Sequence, residues 1–274
     1  MNSDKLETRD KKEQAGTVKL SARLLTVAGF VHQGSSIADV GTDHGYIPVY
    51  LAQTGRIASA LAMDVRPGPL ERARAHIREY EAWAQKQGKS KENTDQERKD
   101  CGSRTVCPIR TRLSDGLKEL KPGEADTVII AGMGGELIMK ILDQGRHVWD
   151  SVNHYVLSPQ SDLDKVRRYL AGHGFAIEDE AMVKDEGKYY TVMSVKRGFM
   201  EYESQAHYLY GRILIGKKDG TLREYLGREK ARIEKILESL QETDGISETE
   251  ARAGARKSRQ EELAWIKEAQ DEMQ

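Results

Sequence analysis

Short apolar runs bounded by polar or glycine residues recur along the first two thirds of the chain. Three of them, at residues 37–40, 59–63 and 127–131, have the length of buried strands. The third is apolar on both faces, as a central parallel strand is. Two shorter runs, at 109–112 and 155–157, predict further strands of the same sheet.

Apolar residues at helical spacing separate these strands. Leu20, Leu24 and Val27 open the first such series and predict an amphipathic helix ahead of the strand at 37–40. The same spacing predicts further helices at 45–53, 70–80, 136–142 and 162–171. Strands that alternate with helices indicate an α/β protein with a doubly wound parallel sheet.

Two longer strands close the pattern. They are predicted at residues 175–183 and 189–195, and the polar residues 185–187 between them predict a turn. Consecutive strands joined by a short turn pair antiparallel, so we expect an antiparallel hairpin at the edge of the sheet.

Two polar segments interrupt the α/β pattern. Residues 1–16 are almost purely polar and predict a disordered leader. Residues 82–106 carry few aliphatic side chains and predict an exposed insertion. We therefore expect the α/β domain to occupy residues 17–198, with the insertion inside it.

The last part of the chain has a different character. An apolar stripe of nearly heptad spacing runs through Leu222, Leu226 and Ile233, and a weaker one follows. Ser247 and Glu250 stand at capping-box spacing at the start of a second helix. We expect an antiparallel helical hairpin at residues 199–274, which serves either as a scaffold or dimer arm or to grip a substrate.

Composition excludes several classes of protein. The 274 residues are 38% hydrophobic and 32% charged with a net charge of −1, so any surface for nucleic acid must be a local patch. No apolar run approaches the roughly 20 residues that span a bilayer, and the polar start does not resemble a signal peptide. Cys101 and Cys107 lack metal-type spacing. We expect a cytoplasmic protein without a metal or a membrane contact, as a monomer or, alternatively, a dimer.

The turn after the strand at 37–40 predicts a nucleoside-type ligand. Gly41 and Gly45 lack the middle glycine of a dinucleotide fingerprint, which disfavours pyrophosphate. S-adenosylmethionine fits better, because its ammonium needs an acceptor such as Asp39 or Asp43 and its carboxylate needs backbone N–H groups. An ordinary strand-to-helix turn is the alternative.

Two acidic residues follow later strands. Asp64 ends the second strand, where a carboxylate can accept hydrogen bonds from both ribose hydroxyls of a nucleoside. Asp115 follows the third strand, where it can accept from the adenine amino group or, as the alternative, cap a turn.

The fourth strand ends in an unusual glycine-rich segment, made of Gly132, Met133, Gly134 and Gly135. Three glycines lose more backbone entropy on folding than three alanines would, so they need a structural reason. Close approach of a flat base or of the cofactor's methionine tail is one such reason, and a tight helix start is the other. We therefore predict that this segment presents the atom that accepts the methyl group.

Six segments together resemble one family. They are LSARL at 20–24, ADVGTDHGYIPVYL at 38–51, MDVRPGPLERA at 63–73, RLSDGL at 112–117, IIAGMGGELIMKIL at 129–142 and EGKYYTV at 186–192. In order and spacing they resemble the bacterial TrmK-type tRNA adenine-N1 methyltransferases, which modify the adenosine at tRNA position 22. The resemblance covers about residues 17–240 and implies a Rossmann-like class I methyltransferase domain followed by a C-terminal coiled-coil domain.

The resemblance also implies site residues, with S-adenosyl-L-methionine as cofactor and tRNA as partner. The cofactor site would be lined by Asp39, Gly41, Asp43, His44, Gly45, Asp64, Asp115, Gly132 and Met133. The acceptor site would use Gly132, Met133, Gly134, Gly135, Pro159 and Tyr189. Ser21, Arg23, Lys188 and Tyr189 would lie near the acceptor entrance and contact the tRNA, and the pattern of charge, rather than the resemblance, adds Arg167 and Arg168 to these contacts. Two departures are the sequence Leu157-Ser-Pro-Gln160, where Leu-Gln-Pro-Asn is expected, and the longer insertion at 82–106.

The target atom sets the expected mechanism. Adenine N1 is a neutral lone pair, so its attack on the sulfonium methyl group needs no base, and alignment of the reactants supplies the catalysis. We expect the target base to be flipped out of the folded tRNA. A local basic surface is predicted from Lys165, Arg167, Arg168, Lys184, Lys188, Lys196 and Arg197. The alternatives are a small-molecule methyltransferase and a non-catalytic S-adenosylmethionine-binding interaction protein.

Overall fold

The structure, a computed structural model, describes residues 18–92, 106–241 and 250–274. These residues form two compact units. The first comprises the described residues up to Gly132 together with Leu137–Leu157, and the second comprises Met133–Glu136 and the described residues from Ser158 onwards. The predicted leader, most of the predicted insertion and the capping serine Ser247 lie outside the described residues.

Strands and helices alternate from the start of the described chain, as the sequence pattern predicts. In chain order they are α1 (Ala22–Gly29), β1 (Ser35–Val40), α2 (Tyr46–Gln53), β2 (Ile57–Asp64), α3 (Pro67–Glu92), β3 (Ile109–Leu113), β4 (Thr127–Met133), α4 (Gly135–Gln144), β5 (His154–Pro159) and α5 (Leu163–Gly172). The later elements are β6 (Phe175–Asp185), β7 (Lys188–Arg197), a π-helix (His207–Gly211), α6 (Arg212–Gly216), α7 (Gly220–Gln241) and α8 (Glu250–Glu272).

Within the described residues, the strands form one mixed sheet in the order β3-β2-β1-β4-β5-β7-β6. β1 pairs in parallel with β2 and with β4, and β2 pairs in parallel with β3. β6 and β7 pair antiparallel, with Asp185 opposite Lys188 across a turn at Glu186 and Gly187, whose φ angles are 48° and 76°. The parallel α/β core and the antiparallel edge hairpin are confirmed.

The core of the first unit follows from the apolar strands. Val128, Ile129 and Ile130 of β4 are buried, as are Ile37 and Ala38 of β1. A strand that is apolar on both faces is stable only where neighbouring elements cover it, which is why these residues lie at the middle of the sheet. No helix in the described ranges is long and apolar enough to cross a membrane.

One predicted helix end is wrong. The polar composition after Tyr80 predicted that the helix would stop there, but α3 continues to Glu92. Glutamate, alanine, lysine and glutamine are strong helix formers, so a polar segment made of them extends a helix. The buried Tyr80 also accepts a hydrogen bond from the N–H of Cys107 at 3.0 Å, so the chain returns beside α3 before β3.

The second unit has its own apolar cluster. Leu222, Leu226 and Ile233 of α7 are buried with Ile266 and Ala269 of α8. The heptad-like stripe therefore marks the face that α7 buries.

Candidate functional site

The direction in which successive strands are added to the sheet reverses at β1. β2 and β3 lie on one side of β1, and β4 lies on the other side. In open α/β sheets, ligands bind beyond the carboxyl ends of the strands at such a reversal. β1 ends at Val40, and the glycine turn follows at once. This end of the first unit is the candidate cofactor site.

The turn after β1 adopts the left-handed backbone that favours glycine. Gly41 and Gly45 have φ angles of 72° and 70°, and Asp43 has a φ of 49°. Gly45 is constrained by packing as well, because a Cβ there would lie 3.2 Å from the Cβ of Ala73 in α3. A side chain at Gly45 would therefore push α3 away from the turn.

Two N–H groups of this turn bind the protein itself. Gly41 and Thr42 donate to the carbonyl oxygen of Met63 at 2.8 and 3.0 Å. These bonds join the turn to the end of β2. The expectation that backbone N–H groups of the turn receive the cofactor carboxylate is therefore wrong for these two.

Asp39 lies buried in β1, one residue before the strand ends. Its Oδ2 accepts a hydrogen bond from Thr42 Oγ1 at 2.6 Å. Burial raises the pKa of the Asp39 carboxyl group to about 6, the Thr42 bond opposes the shift, and the charge of Asp64 adds to it. A ligand cation beside Asp39 would offset the cost of burying the ionised form.

Asp64 is buried at the end of β2, the neighbouring strand. Its Oδ1 accepts from the N–H of Arg66 at 2.9 Å, which fixes the carboxylate at the strand end. Val65 and Leu113 are 58% and 53% exposed, and Leu113 stands opposite Asp64 in the β2–β3 register. Asp64 thus has one exposed apolar neighbour in sequence and one across the strand pair, and ligand sites commonly combine such apolar side chains with a few polar groups.

Asp43 and His44 share one cation. Arg72 of α3 donates to Asp43 Oδ1 at 3.2 Å and to His44 Nε2 at 3.1 Å. His44 stacks on Tyr46 and its carbonyl oxygen lies 2.9 Å from His76 Nδ1. A histidine whose Nε2 already accepts a hydrogen bond is held in place, which favours a positional role over that of a base.

Asp115 is exposed in the turn after β3. Its Oδ2 lies 2.5 Å from Lys118 Nζ, and this hydrogen bond is the main cause that lowers the pKa of Asp115. Gly116 is constrained beside it, since a Cβ there would lie 3.0 Å from Cγ1 of Ile141. The carboxylate is ionised and accessible, so both the adenine and the turn interpretation stay open.

Gly132, in β4, lies close to the guanidinium group of Arg23. Its φ is 79°, and a Cβ there would lie 3.0 Å from Nη1 of Arg23. Arg23 is positioned by α1, whose N-cap Ser21 accepts from the N–H of Leu24 at 3.5 Å. The predicted acceptor glycine and one predicted tRNA-binding arginine are therefore adjacent in the first unit.

The other glycines of this segment belong to the second unit and have a packing reason. A Cβ at Gly135 would lie 2.5 Å from the carbonyl oxygen of Ser161, and one at Gly134 would lie 3.2 Å from Ser161 Oγ. Gln160 donates its N–H to the Met133 carbonyl at 2.9 Å. Pro159 is buried. Close approach of the loop 158–162 gives Gly134 and Gly135 a packing reason, so these two glycines do not by themselves indicate a base or the cofactor.

Arg167 corrects the predicted basic surface. Its side chain is 0% exposed, and its Nε and Nη2 donate to Oε1 of the equally buried Glu180 at 2.9 and 2.7 Å. Its Nη1 donates to the carbonyl oxygens of Tyr208 and Leu209 in the π-helix. Arg167 therefore cannot contact tRNA, and the prediction is wrong for this residue.

Several of the other predicted cations face carboxylates within the second unit. Lys165 lies 2.9 Å from Glu136, Lys184 lies 2.5 Å from Glu224, and Lys196 lies 2.5 Å from Glu178. Tyr189 donates to Glu224 at 2.9 Å, Lys188 is exposed at the hairpin turn, and Arg168 stacks over Tyr208. The cationic surface is smaller than predicted.

Some residues of the site were not predicted. Thr42, Val65 and Leu113 lie in the motifs named above, and Val65 follows Asp64 directly in the sequence, but only the fold brings Leu113 opposite Asp64. Ser161 binds the N–H of Gly135 at 3.3 Å across 26 positions of sequence, and no spacing rule connects the two.

The fold and the two buried carboxylates at neighbouring strand ends define a Rossmann-like methyltransferase. A sequence model described as a methyltransferase domain matches residues 20–100. The TrmK family model, described as tRNA (adenine(22)-N(1))-methyltransferase, matches residues 102–267, which is more than half of the chain. The chain belongs to the TrmK family.

Relatives along the whole length agree. The chain is 29% identical to the tRNA (adenine(22)-N(1))-methyltransferase of Bacillus subtilis over 94% of this chain and 95% of that protein. The crystal structure of the Bacillus subtilis enzyme has a TM-score of 0.71 at 28% identity, and covers 92% of this chain and 99% of that one. A candidate tRNA (m1A22) methyltransferase of Streptococcus pneumoniae in complex with S-adenosyl-L-methionine has the same scores and coverage.

Proposed function

We propose that this chain transfers the methyl group of S-adenosyl-L-methionine to N1 of adenosine 22 in tRNA. Membership of the TrmK family supports the reaction. The observation that carries the cofactor assignment is the pair of buried carboxylates, Asp39 and Asp64, at the carboxyl ends of adjacent parallel strands.

Three groups of the cofactor, namely the ammonium, the ribose hydroxyls and the adenine, have partners of matching chemistry in the first unit. Asp39 accepts from the ammonium, because a buried carboxylate with a raised pKa gains most from a cation. Asp64 accepts from the ribose hydroxyls, and Val65 and Leu113 contact the adenine. Asp115 accepts from the adenine amino group. The cofactor-binding turn is made of Gly41, Asp43, His44 and Gly45, with Gly132 and Met133 at the end of β4.

Alignment is the source of catalysis. The N1 lone pair attacks the methyl carbon, the carbon–sulfur bond breaks, and its electron pair stays on sulfur, so no proton moves in this step. Holding the two atoms in line contributes roughly 7 to 11 kcal/mol. The residues that we propose for the acceptor site are Gly132, Met133, Gly134, Gly135, Pro159 and Tyr189.

The tRNA binds through few cations. The contacts that we propose are Ser21, Arg23, Arg168, Lys188 and Tyr189. Arg167 makes no contact with tRNA, because it is buried. We propose a methyltransferase domain at residues 17–198 and a C-terminal coiled-coil domain at residues 199–274, whose helices α7 and α8 brace the tRNA. We propose that the protein is cytoplasmic, since tRNA resides there, and that it acts as a monomer or, alternatively, as a dimer.

Methyl transfer to defined transcripts tests the proposal. Purified protein is incubated with S-adenosyl-L-methionine and an unmodified tRNA transcript, and the methylated position is mapped by primer extension and mass spectrometry of nucleosides. We expect 1-methyladenosine at position 22, and none in a transcript with guanosine there. A folded protein that binds the cofactor but methylates no tRNA transcript would refute the proposal.

A further inference from the structure

An enzyme that methylates adenine N1 must identify adenine without binding N1. The N1 lone pair has to face the methyl group, so a hydrogen bond to that atom would block the reaction. The remaining edge carries N7, which accepts a hydrogen bond, and the second hydrogen of the N6 amino group, which donates one. A side-chain amide of asparagine or glutamine pairs with both atoms at once.

Gln160 supplies such an amide next to the acceptor segment. Its N–H donates to the carbonyl oxygen of Met133 at 2.9 Å, so its backbone is bound to the end of β4. Its side chain is exposed and makes no hydrogen bond with the described part of the chain. Pro159 before it is buried. Gln160 is therefore an accessible amide on a fixed backbone.

The loop that carries Gln160 is held from both sides within the second unit. Ser161 Oγ accepts from the N–H of Gly135 at 3.3 Å and donates to Asp162 Oδ2 at 2.7 Å. Lys165 lies 2.8 Å from Asp162 and 2.9 Å from Glu136 of α4. Asp162 has a left-handed φ of 55°, a conformation that persists where its surroundings impose it. A preorganised loop loses little entropy when its amide binds a base.

We infer that Gln160 is the specificity-determining residue that reads the N6 and N7 atoms of the target adenine, an inference that rests on the proposed function. The amide carbonyl accepts from N6–H, the amide N–H donates to N7, and N1 stays open. Guanine is rejected because its O6 is an acceptor that faces the amide carbonyl, and because its N1 carries a hydrogen.

A variant-by-substrate cycle tests this role. Wild type and Gln160→Ala are each assayed on a tRNA with adenosine at position 22 and on one with 7-deazaadenosine there, which lacks the N7 acceptor. Wild type should lose about tenfold in kcat/KM on the 7-deaza transcript, because one of the two bonds of the amide pair is lost. Gln160→Ala loses both bonds, so it should be about 10- to 100-fold slower than wild type on the normal transcript and should not distinguish the two transcripts. Any intrinsic difference in N1 reactivity between adenosine and 7-deazaadenosine affects both enzymes equally. It therefore cancels when the wild-type preference between the transcripts is divided by the preference of Gln160→Ala.

Three controls separate this role from a structural one. Gln85→Ala, exposed on α3, should retain the wild-type preference between the transcripts. Gln160→Asn should recover part of the preference, because it keeps the amide. Cofactor affinity by calorimetry should be unchanged in Gln160→Ala.

Two results would overturn the inference. One is a wild-type enzyme that treats both transcripts alike, and the other is a Gln160→Ala enzyme with the wild-type preference. Methylation of the normal transcript by wild type in either case would leave the proposed function standing. No transfer by wild type to either transcript would overturn the proposed function and this inference together.

Discussion

Asp39 couples the stability of the first unit to pH. Burial raises the pKa of its carboxyl group from 3.8 to about 6, so between these values the folded state binds a proton that the unfolded chain releases. Its contribution to the free energy of unfolding is therefore present below about pH 4 and is lost as pH rises through 6. Asp39→Asn should stabilise the cofactor-free protein by roughly 1 to 3 kcal/mol at pH 8 and hardly at pH 4. Thermal unfolding at both pH values measures this, and equal changes would contradict it.

The same carboxyl group should release a proton when the cofactor binds. Near pH 6 about half of the Asp39 side chains are protonated, and a bound ammonium favours the ionised form. Calorimetry of S-adenosylmethionine binding in buffers of different ionisation enthalpy should show up to about half a proton released at pH 6 and almost none at pH 8. Asp39→Asn should show no such release. Release that is the same in the variant would assign it to another group.

Asp64 should control cofactor affinity through the ribose. Each hydrogen bond to an ionised acceptor contributes roughly 1.5 to 3 kcal/mol, so Asp64→Ala should weaken S-adenosylmethionine binding by at least about tenfold. Asp150→Ala, which removes an exposed carboxylate after β4 and α4, is the matched control and should bind normally. Near-normal affinity of Asp64→Ala in calorimetry would argue against the ribose contact.

At the scale of elements, the buried ion pair between Arg167 and Glu180 joins α5 to β6. Arg167 also donates hydrogen bonds to two carbonyl oxygens of the π-helix. Removing only the guanidinium leaves the Glu180 carboxylate buried without its partner, so Arg167→Met should destabilise the protein by about 3 to 5 kcal/mol. The double variant Arg167→Met with Glu180→Leu should recover most of that loss, because it removes both charges. Urea unfolding of the two single variants and the double variant gives the coupling free energy. Additive effects would contradict the pairing.

Apolar runs predicted the strands well because burial on both faces leaves a signal within the run itself. The end of α3 and the burial of Arg167 left no such signal. Glu81, Ala82 and Ala84 read as solvated chain by composition, although they are good helix formers. The sequence predicts that Arg167 is a surface charge, because its partner Glu180 lies 13 positions away on another element and no local pattern connects the two residues.

At the site, the sequence predicts which residues stand at the strand ends. It does not predict which groups of the protein form hydrogen bonds or packing contacts with them. Asp39 and Asp64 are where the pattern and the family motifs put them. The loop around Ser161 explains two of the three acceptor glycines, but its contact with Gly135 is a tertiary one. Sequence thus indicates which groups meet a ligand, while the hydrogen bonds that already occupy those groups are known only from the fold.

For the whole molecule, the net charge of −1 means that tRNA affinity must come from a few local cations. Each phosphate contact releases counterions, so the KM for tRNA should rise steeply between 50 and 200 mM salt, by about tenfold or more for even a few contacts. The cofactor makes no phosphate contact, and its affinity should hardly change. Steady-state kinetics and calorimetry over the same salt series measure both. A KM for tRNA that does not depend on salt would contradict phosphate contacts.

Lys165, Lys184 and Lys196 each form an ion pair with a carboxylate of the protein. These carboxylates compete with the phosphate groups of a nucleic acid for the three lysines. A phosphate that approaches these half-exposed ammonium groups competes with Glu136, Glu224 or Glu178. A single passing phosphate gains little from that exchange, because it replaces one exposed ion pair with another. An RNA gains only when its fold presents several phosphates at the right places together. The three ion pairs therefore weaken the non-specific attraction of RNA to Lys165, Lys184 and Lys196.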